Sequence, residues 1–241
     1  MAKPTIVAVH GAWADASSWN AVTSELQERG YTVLAPPNLL RGLAADTGYL
    51  SSFVAQRTSG PVVLVGHSYG GFVITNAAAG GDVRALVYVN AFIPDEGETV
   101  FQILGGSGSA FDVPDPTTVF DIVGYPGGPE GDAEAFLKPE TVHKSMAQDL
   151  SETDRLLVVA GQRPITLSAN ATPSGAAAWK ILPSWAVVGT EDLVIPAATQ
   201  RSMAARANAK TTEVAGSHVS MISNPQATIT AILAAADHVE N

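Results

Sequence analysis

A serine hydroxyl is a poor nucleophile at neutral pH until a base accepts its proton. Ser68 sits in Gly66-His67-Ser68-Tyr69-Gly70-Gly71, between the apolar run Val62-Val63-Leu64-Val65 and a helix-compatible segment from Phe72 to Ala79. That order reads as strand, sharp turn and helix, with the serine at the apex. Glycines on both sides of the turn remove the Cβ atoms that would block a close helix–strand crossing. The turn would hold the hydroxyl above the sheet, at the mouth of a helix N-terminus whose free N–H groups favour negative charge.

The partners such a serine needs are a histidine base and a carboxylate that orients it. In a parallel sheet the strand ends share one edge, so both should lie just after later strands. Asp192, in Gly189-Thr190-Glu191-Asp192, and His218, in Ala215-Gly216-Ser217-His218-Val219, meet that condition. They give the chain order Ser, Asp, His. Glu191 is the competing acid. The other histidines fit the base role less well: His10 and His67 lie near the site on other elements, His143 falls mid-chain and His238 near the C-terminus. Acyl transfer also requires donors for an oxyanion, commonly two backbone N–H groups. Tyr69, which follows the nucleophile, should supply one, and Ala12, in the loop His10-Gly11-Ala12-Trp13, the other.

The elements that must position these residues follow from the pattern. Thr5–Val9 reads as a buried strand, and Trp19 to Arg29 as a helix capped by Ser17 or Ser18 and closed by Gly30. Residues 31–35 form a second strand stopped by Pro36-Pro37, and Asp46 offers an N-cap for a helix to about Arg57. The strand before Ser68, its helix, and a strand over Arg84–Val89 continue the alternation. The rhythm resumes with a strand at Ser184–Gly189, a helix from Pro196 to about Ala207, a strand at Lys210–Val214 and a last helix opened by Asn224-Pro225. The alternation predicts a mostly parallel sheet of about six strands with helices on both faces.

Between these halves, residues 95–178 are rich in Pro and Gly, with helices expected at Asp132–Leu137, Pro139–Leu150 and Glu152–Gly161. They read as a helical cap inserted into a core made of residues 1–94 and 179–241. The cap and the first loop offer apolar side chains for a substrate pocket, among them Trp13, Phe101 and Tyr125.

Composition narrows the function classes. The 241 residues contain no cysteine, which excludes disulfides, thiolate catalysis and cysteine-based metal sites. A net charge of −10, with 13 Lys and Arg residues, argues against nucleic acid and anionic membrane as partners. No apolar run approaches the roughly 20 residues that span a bilayer. Met1-Ala2-Lys3-Pro4 leads directly into the first strand, so the expected location is cytoplasmic.

With these pieces in place, the chain resembles the α/β-hydrolase-fold enzymes, in the small-esterase and hydroxynitrile-lyase-like branch that includes plant methylesterases. The matching motifs are Val9-His10-Gly11-Ala12-Trp13, Gly66-His67-Ser68-Tyr69-Gly70-Gly71, Gly189-Thr190-Glu191-Asp192 with Ile195-Pro196, and Gly216-Ser217-His218. The resemblance implies a Ser68–His218–Asp192 triad, an oxyanion hole at Ala12 and Tyr69, no cofactor or metal, and a small-molecule ester substrate. Where hydroxynitrile lyases carry a lysine after the histidine this chain has Val219, and where epoxide hydrolases and dehalogenases carry an aspartate nucleophile it has Ser68. Lactonase, C–C hydrolase and cofactor-free perhydrolase activities use the same triad and stay open, as does a non-catalytic ligand-binding role. Oligomeric state is not encoded in any pattern found here.

Overall fold

A computed structural model describes residues 3–78 and 81–240. Ala79, the end of the helix expected after Ser68, and the initial Met1-Ala2 lie outside the described residues. The elements in the first half are β1 (Thr5–Val9), α1 (Asn20–Glu28), β2 (Val33–Leu34), α2 (Leu43–Arg57), β3 (Val62–His67), α3 (Gly70–Ala77) and β4 (Val83–Val89). The middle carries α4 (Val100–Leu104), β5 (Phe120–Val123), β6 (Glu134–Leu137), α5 (Pro139–Thr141), α6 (Glu152–Ala160), β7 (Ile165–Thr166) and α7 (Leu167–Ala171). The chain closes with β8 (Ser184–Gly189), α8 (Ala197–Arg206), β9 (Lys210–Val214), α9 (Ser220–Ser223) and α10 (Pro225–Glu240).

Strands β2-β1-β3-β4-β8-β9 form one six-stranded sheet in that order, and every pairing in it is parallel. All six residues of β3 are buried, as expected of a strand covered on both faces. Helices α1 and α10 pack on each other, with α10 running across β3, β4, β8 and β9, while α3 lies against β3 and α2 packs on α3. No helix among the described residues is long and apolar enough to cross a membrane.

Two helix starts differ from expectation. Asp15, not Ser17 or Ser18, accepts the Ser17 N–H and opens a short 3-10 turn, Ala16–Trp19, that leads into α1. Asp46 does not cap α2, which begins three residues earlier at Leu43; from inside the first turn its carboxylate reaches back to the Arg41 N–H at 3.1 Å.

The middle segment also departs from its reading. Asp132–Leu137 is not a helix: residues 134–137 form β6, which pairs antiparallel with both β5 and β7 in a separate three-stranded sheet. The expected helix over Pro139–Leu150 is a short turn of α5 followed by π-helical Val142–Met146. Glu152–Ala160 is helical as expected, with Ser151 as its N-cap. The small sheet hangs from the loops after β1 and β2. The Trp13 N–H bonds the Arg163 carbonyl at 2.9 Å, its indole N–H bonds the Ala135 carbonyl at 2.8 Å, and the Thr166 N–H bonds the Leu40 carbonyl at 3.1 Å. Arg41 adds an ion pair to Glu134 at 2.7 Å.

Candidate active site

Ser68 follows β3 with φ +52°, a left-handed conformation that a non-glycine residue adopts only where its surroundings enforce it. The surroundings are crowded backbone. A Cβ on Gly66 would stand 2.6 Å from the Gly70 carbonyl oxygen, and one on Gly11 would stand 2.6 Å from the Ser68 Cβ. Only glycine lets the turn close and lets the loop after β1 run against the serine.

Asp192 and His218 emerge from the same sheet edge, after β8 and β9. His218 Nε2 lies 2.8 Å from Ser68 Oγ, and its Nδ1 lies 2.8 Å from Asp192 Oδ2. All three residues are buried. A buried carboxylate needs hydrogen bonds to replace its water. Asp192 has five: Val194 and Ile195 N–H groups on Oδ1, and Gln200 Nε2, Asn90 Nδ2 and His218 Nδ1 on Oδ2. Asp192 is thus the carboxylate in contact with the His218 ring. Glu191 is exposed beside it.

His67 is fully buried with its ring centroid 4.8 Å from that of His218. Its Nε2 lies 2.9 Å from the His218 carbonyl oxygen, an acceptor, so Nε2 carries the proton. Burial, and then the neighbouring His218, hold its pKa well below the ordinary histidine value, so it stays neutral.

His10 orders the loop that carries Ala12. Its Nε2 accepts the Asn38 N–H at 3.0 Å, so the proton sits on Nδ1 and is donated to the Gly11 carbonyl at 2.8 Å. In a trans peptide C=O and N–H point opposite ways, so fixing the Gly11 carbonyl aims the Ala12 N–H away from His10. The Trp13 N–H is taken by Arg163, whereas the Ala12 and Tyr69 N–H groups have no protein acceptor among the described residues. Burial lowers the His10 pKa to about 4, which keeps this arrangement neutral. The Tyr69 hydroxyl donates to Asp46 at 2.9 Å, tying the residue after the serine to α2. Burial, and then the Asp46 charge, raise the tyrosine pKa; burial also raises that of Asp46.

A cavity of about 300 Å³ lies between the loop after β1 and the middle segment, and none of Ser68, Asp192, His218, Ala12 or Tyr69 is in its lining. Its apolar lining includes Trp13, Met146, Leu150, Val158, Val219 and Ile222, and its charged lining is Asp15 and Asp154. Trp13 and Val219 are the chain neighbours of Ala12 and His218. Trp13 packs on Phe111 and Phe120, with ring centroids 5.4 Å and 5.6 Å away. Of the other expected pocket residues, Phe101 is 53% exposed on α4. Tyr125 sits under Arg41 with its hydroxyl on Asp132. Neither lines the cavity.

Three polar residues at the site were not singled out from sequence, Asn90, Gln200 and Asp149, and a fourth, Asp46, was read only as a helix cap. Asn90 carried a usable signal, since it is a polar residue directly after a parallel strand, as Ser68 is. The others lie on helices or in the middle segment, where nothing local marks them. Among the described residues no cluster of three or more His, Cys, Asp or Glu side chains is placed to hold a metal ion.

The alpha/beta hydrolase family profile matches residues 6–231. A carbendazim-hydrolyzing esterase from Nocardioides sp. (strain SG-4G) is 32% identical over 111 residues. That match covers 41% of this chain and 46% of the esterase, so it spans less than half of the relative's length. Among solved structures, a pyrethroid hydrolase from Sphingobium faniae JZ-2 superposes with a TM-score of 0.77 at 22% identity, covering 97% of both chains. Polyneuridine aldehyde esterase superposes with a TM-score of 0.80 at 20% identity, covering 97% of this chain and 99% of its own.

Proposed function

The chain belongs to the alpha/beta hydrolase family, and from that premise we propose that it is a hydrolase that cleaves a small to mid-sized, uncharged carboxylic ester through an acyl-enzyme on Ser68. One observation carries this reading: the continuous line of 2.8 Å contacts from Ser68 Oγ through the His218 ring to Asp192.

In the first half-reaction, Ser68 Oγ attacks the ester carbonyl carbon while His218 Nε2 takes its proton. The Ala12 and Tyr69 N–H groups receive the oxyanion, each donor being worth roughly 3 kcal/mol in the transition state. Collapse expels the alcohol, which leaves with the proton from Nε2, and the acyl group stays on Oγ. Water then gives a proton to Nε2 and attacks the acyl carbon. A second collapse frees the acid and returns the proton to Oγ. Asp192 stabilises the imidazolium that forms in both halves and stays unprotonated throughout.

On this reading residues 1–94 and 179–241 carry the chemistry, and residues 95–178 are the cap that walls the cavity. The apolar cavity lining suits an uncharged acyl or alcohol group, and Asp15 and Asp154 disfavour a substrate with a free carboxylate. Hydrolysis of p-nitrophenyl butyrate tests the assignment. Ser68→Ala should lower kcat by about 10⁶-fold. A loss of less than about tenfold would remove Ser68 from the mechanism.

A further inference from the structure

We infer that Asn90 is a positioning residue that locks Asp192 and the His218 loop into one unit and sets how much of the Asp192 charge reaches His218. This rests on the triad reading above. Asn90 follows β4, the strand between the one that carries Ser68 and the one that carries Asp192. It is wholly buried, and its φ of +45° is a left-handed conformation that asparagine tolerates better than most residues.

Its amide joins three places far apart in the chain. Nδ2 donates to Asp192 Oδ2 at 3.2 Å and to the Ser217 carbonyl at 2.9 Å, one residue before His218. Oδ1 accepts the Ser220 hydroxyl at 2.5 Å. The opposite amide orientation would set its oxygen against a carboxylate and a carbonyl with no proton between them, so the chemistry of the partners fixes the orientation. The end of β8 is shaped around this group: a Cβ on Gly189 would lie 2.1 Å from Asn90 Nδ2.

Asp192 Oδ2 is thus divided among Asn90, Gln200 and the His218 ring. Withdrawing the Asn90 donor leaves more carboxylate charge for the imidazolium and frees the loop that aims it. The ionisable groups facing His218 are Asp192 at Nδ1 and His67 against its ring, with His10 acting on His67 from behind. Asp149 faces its loop, accepting the Ser217 N–H at 2.9 Å.

The test compares wild type, Asn90→Asp, Asn90→Gly and Ser220→Ala in the pH profile of kcat/KM for p-nitrophenyl butyrate, with folding followed by circular dichroism. Asp and Gly both accept a left-handed backbone, so neither substitution adds strain at φ +45°. Asn90→Asp sets a second carboxyl against Asp192. It should lower kcat about 10- to 100-fold at neutral pH, the worth of a hydrogen bond to a charged group. It should also move the acid limb of the profile upward by about one pH unit. Asn90→Gly should move both in the same direction by less, and Ser220→Ala, which only unlocks the amide, by least. If Asn90→Asp does not fold, the Gly and Ser220 variants carry the test. A folded variant set whose kcat stays within about twofold, with the acid limb unmoved, overturns the inference. So does a loss of rate with no shift of the limb, which marks a merely structural role. Ser68→Ala is measured alongside: its inactivity with unaffected Asn90 variants refutes only this inference, whereas an active Ser68→Ala refutes the triad reading itself.

Discussion

The acid–base end of the site and the segment between β4 and β8 are built in opposite ways. Asp192, His218 and Asn90 each lie just after a strand of the large sheet, their side chains are buried, and each polar atom in the relay has named partners. The intervening segment is made of strands of two to four residues and short helices, and it leaves Leu156, Leu157 and Phe101 more than half exposed. Its small sheet is fastened to the core by hydrogen bonds to Trp13 and Leu40 and by the Arg41–Glu134 pair, and the rest of the segment by the Glu98–Arg206 pair, the Ser109 hydroxyl on the Val194 carbonyl and Asp149 on the Ser217 N–H. The contrast teaches a division of labour. On the proposed mechanism the reacting groups, which need sub-ångström placement, sit on the rigid sheet edge, whereas the segment proposed as the substrate wall is built from shorter elements.

Substitutions at the rigid end should therefore act on kcat, and substitutions at the tethered end on KM. The largest effect is expected for Asp192→Asn. It keeps the shape but removes the acceptor that holds the His218 tautomer, and kcat should fall about 10⁴-fold. A fall of less than tenfold, with the fold intact, would mean that the buried relay is not the working part.

A middle-sized effect concerns pH. The fold keeps His10 neutral, with its pKa lowered by burial from 6.5 to about 4. Between those values the unfolded chain takes up a proton that the native chain refuses, so stability falls as the pH falls across that window. His10 alone should contribute a loss of about 3 kcal/mol. His67 acts in the same direction, since burial lowers its pKa too. Urea unfolding at a series of pH values reads the slope, and His10→Gln should show a shallower loss across the same window. An equal slope in that variant would contradict the role given to His10.

The smallest effect is expected at the tether. Arg41 is 40% exposed in its side chain, and an ion pair of that kind contributes about 0–1 kcal/mol. Arg41→Ala should leave the melting temperature nearly unchanged and raise KM a few-fold, with kcat constant. A large loss of kcat would show that the two regions are not separable.

The same contrast explains what the sequence could disclose. Ser68, Asp192 and His218 were legible because each is a chemically distinctive residue placed just after a strand of five or six residues, and parallel strands bring such residues to one edge. Five of the six core strands have five or more residues, long enough to show a pattern. The middle segment offers no such length. Glu134, Ala135 and Leu137 are good helix formers, yet they are held in β6 by pairing with β5 and β7, which no local propensity encodes. Asp46 looks like a helix cap, and its actual partners, Arg41 and Tyr69, become visible only once α2 is docked beside the turn at Ser68. Asn90 has the position of a functional residue, but its meaning depends on contacts with residues 102 and 127 positions away.

The most direct test of the central claim is covalent capture of the nucleophile. Treatment with a fluorophosphonate, followed by peptide mass spectrometry, should place a single adduct on Ser68. It should be absent in Ser68→Ala and at least about 10³-fold slower to form in His218→Ala, because the base that activates the hydroxyl is gone. No adduct on the folded protein, an adduct on another residue, or an undiminished rate in His218→Ala would contradict the account.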